Sequence, residues 1–245
     1  MSTKSTITVI IPCYNSALYI DDALMSIINQ TITVETIILI DDCSSDSNLL
    51  REKFLFFKNK YKNIDFQYFK NKKNLGPGIS RNLAWSKVKT DFIAFLDSDD
   101  IWHREKIEKQ LEIFKINPDL SLVACAKNTV INKKVSDILK ITEMLFKNYI
   151  PLSSVLMKSN INQRFSNNYF AEDYSLWLDM IIEGHKLYFI NKVYCSENKR
   201  NLNTPSLSKN LYKMTLFTQS SLFKIYKKKN KHVFYNFIIS IMGVF

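Results

Sequence analysis

The chain has 245 residues, 46% of them hydrophobic, with a formal net charge of +11. That is enough apolar material for one large domain or two small ones with a real core. Nine of the eleven excess charges lie beyond Glu197, the last acid, so the body is nearly neutral, which argues against a nucleic-acid reader and for a basic tail that meets a membrane surface. In chain order, "TITVIIP" (6–12) reads as a buried strand. Residues 17–29 space Leu18, Ala23, Leu24, Ile27 and Ile28 as a helical face, and "ETIILIDD" (35–42) is a second strand that ends in acids. A helix is predicted over 48–61, a third strand in "IDFQYF" (64–69), and a turn where Gly76, Pro77 and Gly78 punctuate the chain. "ISRNLAWSKV" (79–88) predicts a short helix, "DFIAFLD" (91–97) a fourth strand, and "REKIEKQLEIFK" (104–115) an amphipathic helix stopped by Asn117-Pro118. Further on, "LSLVACA" (120–126) and "SSVLMK" (153–158) read as strands, and "EDYSLWLDMIIEG" (172–184) as a helix closed by Gly184.

Strands that alternate with helices imply βαβ units, an α/β fold and a mostly parallel central sheet flanked by helices. Ligands of such sheets bind beyond the carboxyl ends of the strands. Residues 12–15, 41–45 and 97–100 all fall at predicted strand ends, so three polar clusters are expected on one sheet edge.

The densest cluster is "LDSDD". Along an extended chain Asp97 and Asp99 point to one side, where two unpaired carboxylates are costly unless a divalent cation joins them. Mg²⁺ or Mn²⁺ suits oxygen ligands of this kind, completed by substrate phosphates. The competing reading is a solvated loop, with Asp100 capping a helix that begins near His103. "IDDCSSD" offers carboxylates that could accept a hydrogen bond from a nucleotide, or act as ordinary turn residues. In "NLGPGISRN" the glycines and Arg81 suit either a diphosphate or a plain turn with a surface arginine. No GxGxxG follows the first strand, which leaves a dinucleotide cofactor without support.

Taken together, "VIIPCYN", "IDDCSSD", "NLGPGISRN", "FLDSDDIW" and "AEDYSLWL", in this order and at these separations, resemble the family 2 glycosyltransferases of GT-A fold over residues 5–208. The resemblance implies an inverting transferase that uses a nucleotide-sugar, usually a UDP-sugar, with a divalent cation. It implies donor binding by Pro12, Tyr14, Asp42, Arg81 and Asp97, a metal ligand in Asp99, and a general base in Asp173. Glu172 and Trp177 fall to the acceptor side or behind the site, and Arg200, in "KRNLNTPSLS", reads equally as a phosphate contact or as part of a mobile polar loop. It also implies a donor half near 1–100, an acceptor half near 101–208, a glycan or glycolipid acceptor, and a setting in surface-polysaccharide or lipopolysaccharide synthesis. Cys43 stands where this family usually has Gly, Arg104 where Pro is common, and Ser80 where Ala is common.

The cysteines Cys13, Cys43, Cys125 and Cys195 have no zinc-like spacing, and "MSTKSTITVIIPCYN" has no long apolar run of a secretory signal. A cytoplasmic protein with reduced thiols is expected, peripheral on the inner face of the membrane through a helical basic tail at 209–245. Oligomerisation is left open. Two other readings stay in play: a nucleotidyltransferase of similar sheet, which would want a Gly-rich phosphate loop that "PCYNSALYIDD" lacks, and a non-catalytic membrane-surface protein.

Overall fold

The computed structural model describes residues 5–131, 136–167 and 171–198. Arg200 and the tail at 209–245 lie outside the described residues. The elements are β1 (Ile7–Cys13), α1 (Ile20–Ile28), β2 (Thr36–Asp41), α2 (Ser47–Lys60), β3 (Asp65–Lys70), α3 (Pro77–Trp85), β4 (Phe92–Phe95), β5 (Asp100–Trp102), α4 (Lys106–Ile116), β6 (Leu120–Lys127), α5 (Ile141–Phe146), a 3₁₀ turn at Leu152–Ser154, β7 (Leu156–Lys158), α6 (Glu172–Ile182) and β8 (Lys186–Glu197).

One eight-stranded sheet runs in the order β3-β2-β1-β4-β7-β6-β8-β5. The β3-β2-β1-β4 half is wholly parallel, and β6 pairs parallel with β8. The pairs β4–β7, β6–β7 and β5–β8 are antiparallel. All seven residues of β1 are buried, as a central strand covered on both faces requires. Its side chains alternate between two cores. Ile7, Val9 and Ile11 pack with α1, α2 and α4, whereas Ile10 packs with α3 and α6. In α1, Ile20, Ala23, Leu24 and Ile27 form the buried stripe at i, i+3, i+4 and i+7.

Chain direction places the site. After β1 the chain goes to β2 and β3 on one side, then returns to β4 on the other. The crevice between the ends of β1 and β4 is therefore the switch point of the parallel half, where open α/β sheets bind ligands. Two sequence expectations need correction. Asp97 and Asp99 do not alternate along a strand: β4 ends at Phe95, and the Asp100 N–H donates to the Asp97 carbonyl at 3.0 Å, which closes a turn. Asp100 does not cap a helix. It starts β5, and α4 begins six residues later at Lys106.

Candidate active site

The three polar clusters meet at the carboxyl edge of the parallel strands. Asn15, just past β1, takes a left-handed φ of 51°. Its Oδ1 accepts from Ser45 N at 2.8 Å and Ser45 Oγ at 3.0 Å, and Asp46 Oδ2 accepts from Ala17 N at 2.8 Å. These bonds lace the loop after β1 to the loop after β2. Pro12 is buried at the end of β1, and Tyr14 is 53% exposed at the crevice rim. Asp42, expected to face a base, lies beneath the rim. Its carboxylate accepts from Asn71 Nδ2 at 2.8 Å, Leu75 N at 2.9 Å and Gly76 N at 2.8 Å, so it orders the loop that leads into α3. Gly76 in that loop has φ 86°, a conformation L side chains rarely adopt.

At the centre is Arg81, only 3% exposed. Its Nη2 donates to Asp97 Oδ1 at 2.6 Å and its Nη1 to Glu172 Oε1 at 2.8 Å. Burial pulls the Arg81 pKa down, and the two carboxylates more than offset that, so the guanidinium stays charged. In this arrangement Arg81 is engaged by carboxylates rather than by a diphosphate. Both terminal nitrogens bind carboxylates, and Arg81 fastens the acidic turn after β4 to the start of α6. Gly78 makes the approach physically feasible: a Cβ there would lie 2.8 Å from Glu172 Cγ. The sequence suggested that the glycines admit a phosphate, whereas Gly78 admits Glu172.

In the acidic turn, Asp97 keeps part of its carboxylate open to solvent. Burial, and then the like charge of Asp97, push the Asp99 carboxyl above its usual range, with Lys127 opposing them. Lys127 Nζ lies 2.7 Å from the buried Asp100. Among the described residues no group of three or more His, Cys, Asp and Glu side chains is arranged to hold a metal alone. The donor set nevertheless fits a cation that arrives with a diphosphate, since Asp97 keeps part of its carboxylate open beside the like-charged Asp99, and hard oxygen donors of this kind are completed by phosphate oxygens.

Across the crevice, Ala171 precedes α6 with a left-handed φ of 52°, and Glu172 and Asp173 open the helix, where its dipole favours anions. Glu172 turns to Arg81. Asp173 turns away and is met by Tyr174 N at 2.7 Å and by Asn148 Nδ2 at 3.5 Å. It keeps part of its surface open, yet it is packed densely enough that burial, aided by the charge of Glu172, pushes its pKa up to about 7. Tyr174 N–H and Arg81 oppose that shift.

Trp177 is fully buried and packs edge-on against Phe165 at 6.4 Å, so it supports α6 from the core and touches no cleft. Trp102 is likewise buried, and its indole N–H donates to the Ser153 carbonyl at 2.6 Å. His103 is exposed, and His185 is bonded to Ser121 and Gln163. Sequence reasoning missed Ser153, whose Oγ accepts the Asp97 N–H at 3.1 Å, as well as Lys127 and Asn148. None of the three sits in a motif; each reaches the site through a distant strand or turn. It also missed Asn198, whose N–H donates to the Asp99 carbonyl at 2.9 Å and so brings the end of β8 beside the acidic turn.

Residues 8–174 match the family described as "Glycosyl transferase family 2". The chain belongs to glycosyl transferase family 2. Within this family it is 32% identical over 217 residues to WfgD of Escherichia coli, a UDP-Glc:alpha-D-GlcNAc-diphosphoundecaprenol beta-1,3-glucosyltransferase, covering 84% of this chain and 81% of WfgD. It is 36% identical over 109 residues to TuaG of Bacillus subtilis, whose name places it in teichuronic acid biosynthesis; that match covers 44% of this chain and only 42% of TuaG. Among solved structures, residues 1–349 of S. aureus TarS in complex with UDP-GlcNAc superpose with TM-score 0.65 at 19% identity, covering 88% of this chain and 66% of that one. The mannosyltransferase PcManGT of Pyrobaculum calidifontis, in complex with GDP-Man and Mn²⁺, superposes with TM-score 0.73 at 15% identity, covering 94% and 66%. These likenesses establish the GT-A fold.

One departure from the family 2 pattern has a measurable consequence. Cys43, which stands in place of the usual Gly, has φ 62°. A left-handed L residue costs roughly 1–2 kcal/mol, while Gly loses about 0.5–1 kcal/mol more backbone freedom on folding. Cys43→Gly is therefore expected to stabilise the protein by about 0.5–1 kcal/mol in chemical denaturation. Cys43→Ala keeps the strain and gains nothing. Equal midpoints for the Gly and Ala variants would contradict the strain argument.

Proposed function

We propose that the chain is an inverting glycosyltransferase that moves a sugar from a UDP-sugar to a hydroxyl of a glycan or lipid-linked glycan acceptor in cell-surface polysaccharide synthesis. The observation that carries this reading is geometric: Arg81, 2.6 Å from Asp97 and 2.8 Å from Glu172, brings the acidic turn after β4 against the helix start that presents Asp173. The UDP-Glc donor named for WfgD and the UDP-GlcNAc bound to TarS support UDP as the nucleotide, and the GlcNAc-diphosphoundecaprenol of WfgD supports a diphospholipid-linked acceptor.

Asp97 and Asp99 would hold a divalent cation, Mn²⁺ or Mg²⁺, which supplies positive charge for a departing diphosphate. Tyr14 offers an exposed ring face to the base, and Asp42 keeps the 71–76 loop in place beneath it. Asp173 accepts the proton of the acceptor hydroxyl as that oxygen bonds to C1 of the sugar and the C1–O bond to UDP breaks. A single displacement inverts C1 and needs no covalent nucleophile. Among the described residues no helix is long and apolar enough to cross a membrane.

The test is incubation of the full chain with UDP-, GDP-, CDP- and dTDP-sugars and a lipid-linked GlcNAc acceptor, with Mn²⁺ or EDTA. UDP release that requires both acceptor and metal is expected. Pyrophosphate release would favour a nucleotidyltransferase, and the absence of nucleotide binding would favour a non-catalytic surface protein.

A further inference from the structure

Behind the acidic turn lies a buried polar network that the proposed reaction does not use. Lys106 and Gln110 in α4 are both fully buried. Three consecutive carbonyls at the 3₁₀ turn are each taken by one side chain of the stretch that follows the acids. The Ser153 carbonyl accepts from Trp102 Nε1 at 2.6 Å, the Ser154 carbonyl from Gln110 Nε2 at 2.8 Å, and the Val155 carbonyl from Lys106 Nζ at 3.4 Å. Lys106 Nζ also donates to Gln110 Oε1 at 2.8 Å and sits 4.1 Å from the Trp102 ring centroid, while Gln110 Nε2 also reaches the Val123 carbonyl at 2.7 Å. A lysine without water is tolerable here because two acceptors and an aromatic face receive its charge.

What this arrangement fixes is one hydroxyl. Ser153 is buried, and its Oγ accepts the backbone N–H of Asp97 at 3.1 Å. The residue thus grips the acidic segment on either side of Asp99: its side chain meets the Asp97 N–H and the Asp100 carboxylate, and its carbonyl meets Trp102. We propose that Ser153 is a positioning residue for the acidic turn Asp97–Asp100, held in register by Trp102, Lys106 and Gln110, and that it sets the spacing on which cation binding with the donor depends. The inference rests on the reading that Asp97 and Asp99 bind a cation with UDP.

The experiment measures UDP affinity of the full chain by calorimetry, with Mn²⁺ and with EDTA, next to the thermal midpoint of the ligand-free protein. If the unsubstituted protein shows no Mn²⁺-dependent gain in UDP affinity, the functional reading itself fails. Given that gain, Ser153→Ala loses its side-chain hydrogen bonding to Asp97 and Asp100, and the Mn²⁺-dependent gain is expected to fall by about fivefold to tenfold. UDP affinity in EDTA should stay unchanged. Trp102→Phe, which keeps the ring and removes only the indole donor to the Ser153 carbonyl, should move the same quantity in the same direction. Ser154→Ala supplies the contrast, because its hydroxyl donates to the Pro151 carbonyl at 2.6 Å and meets Cys125 rather than the acidic turn. It should lower the thermal midpoint without touching the metal dependence. An undiminished Mn²⁺-dependent gain in Ser153→Ala, or an equal loss in Ser154→Ala, would overturn the proposal.

Discussion

Asp173→Asn is expected to slow single-turnover sugar transfer by about 10²- to 10⁴-fold, the usual cost of losing a general base. UDP and metal affinity should barely change, because Asp173 faces away from the Arg81 clamp and contacts Tyr174 N and Asn148 instead. A base acts in its deprotonated form. Burial and the neighbouring Glu172 charge raise the Asp173 pKa to about 7, so a growing fraction is protonated and idle as the pH falls below that value. The rate of the unsubstituted enzyme should therefore climb about tenfold per pH unit up to about pH 7 and level off above it. In the Asn variant this acid limb should vanish along with the rate. Glu172→Gln should do less to the chemistry and more to stability, since Glu172 partners Arg81. Near-normal transfer by Asp173→Asn, or an acid limb that survives the substitution, would remove Asp173 from the mechanism.

That Glu172 and Asp173 point in different directions follows from helical geometry, which sends adjacent residues about 100° apart, but which of them sits deeper did not, since Glu172 is the more buried. Trp177 and Met180, at i+4 and i+7 from Asp173, are fully buried, yet Arg81 draws Glu172 inward and leaves Asp173 half-buried. The strands β1, β2 and β4 were readable in the sequence: central parallel strands are apolar on both faces and stop abruptly at polar residues. The twelve-residue β8 was not. Its burial is irregular, with Asn191 and Lys192 exposed in mid-strand and register shifts against β6, so no period of two survives. Nor was the role of Arg81. "GISRN" suits a phosphate loop as well as a clamp, and what decides between them is Glu172, 91 residues further along the chain. Ser153 lay deeper still, since "PLSSV" carries no chemical signal until folding brings it against Asp97.

Arg81→Met should be the most destabilising of these substitutions, at about 3–5 kcal/mol, the cost of removing one partner from a buried ion pair. Arg81 compensates two carboxylates at once. Glu172 has 10% of its side chain exposed and Asp97 has 35%, so most of the penalty should fall on Glu172. A second substitution separates an uncompensated charge from simple loss of packing: adding Glu172→Gln to Arg81→Met removes the buried charge and should recover much of the lost stability in chemical denaturation. Arg81→Lys should not rescue, because a single ammonium cannot span both carboxylates as the planar guanidinium does. If packing were the whole effect, the double variant would be less stable than either single one. The same clamp ties the acidic turn to the helix that presents Asp173, so in Arg81→Met molecules that remain folded, Mn²⁺-dependent UDP affinity and transfer should fall together.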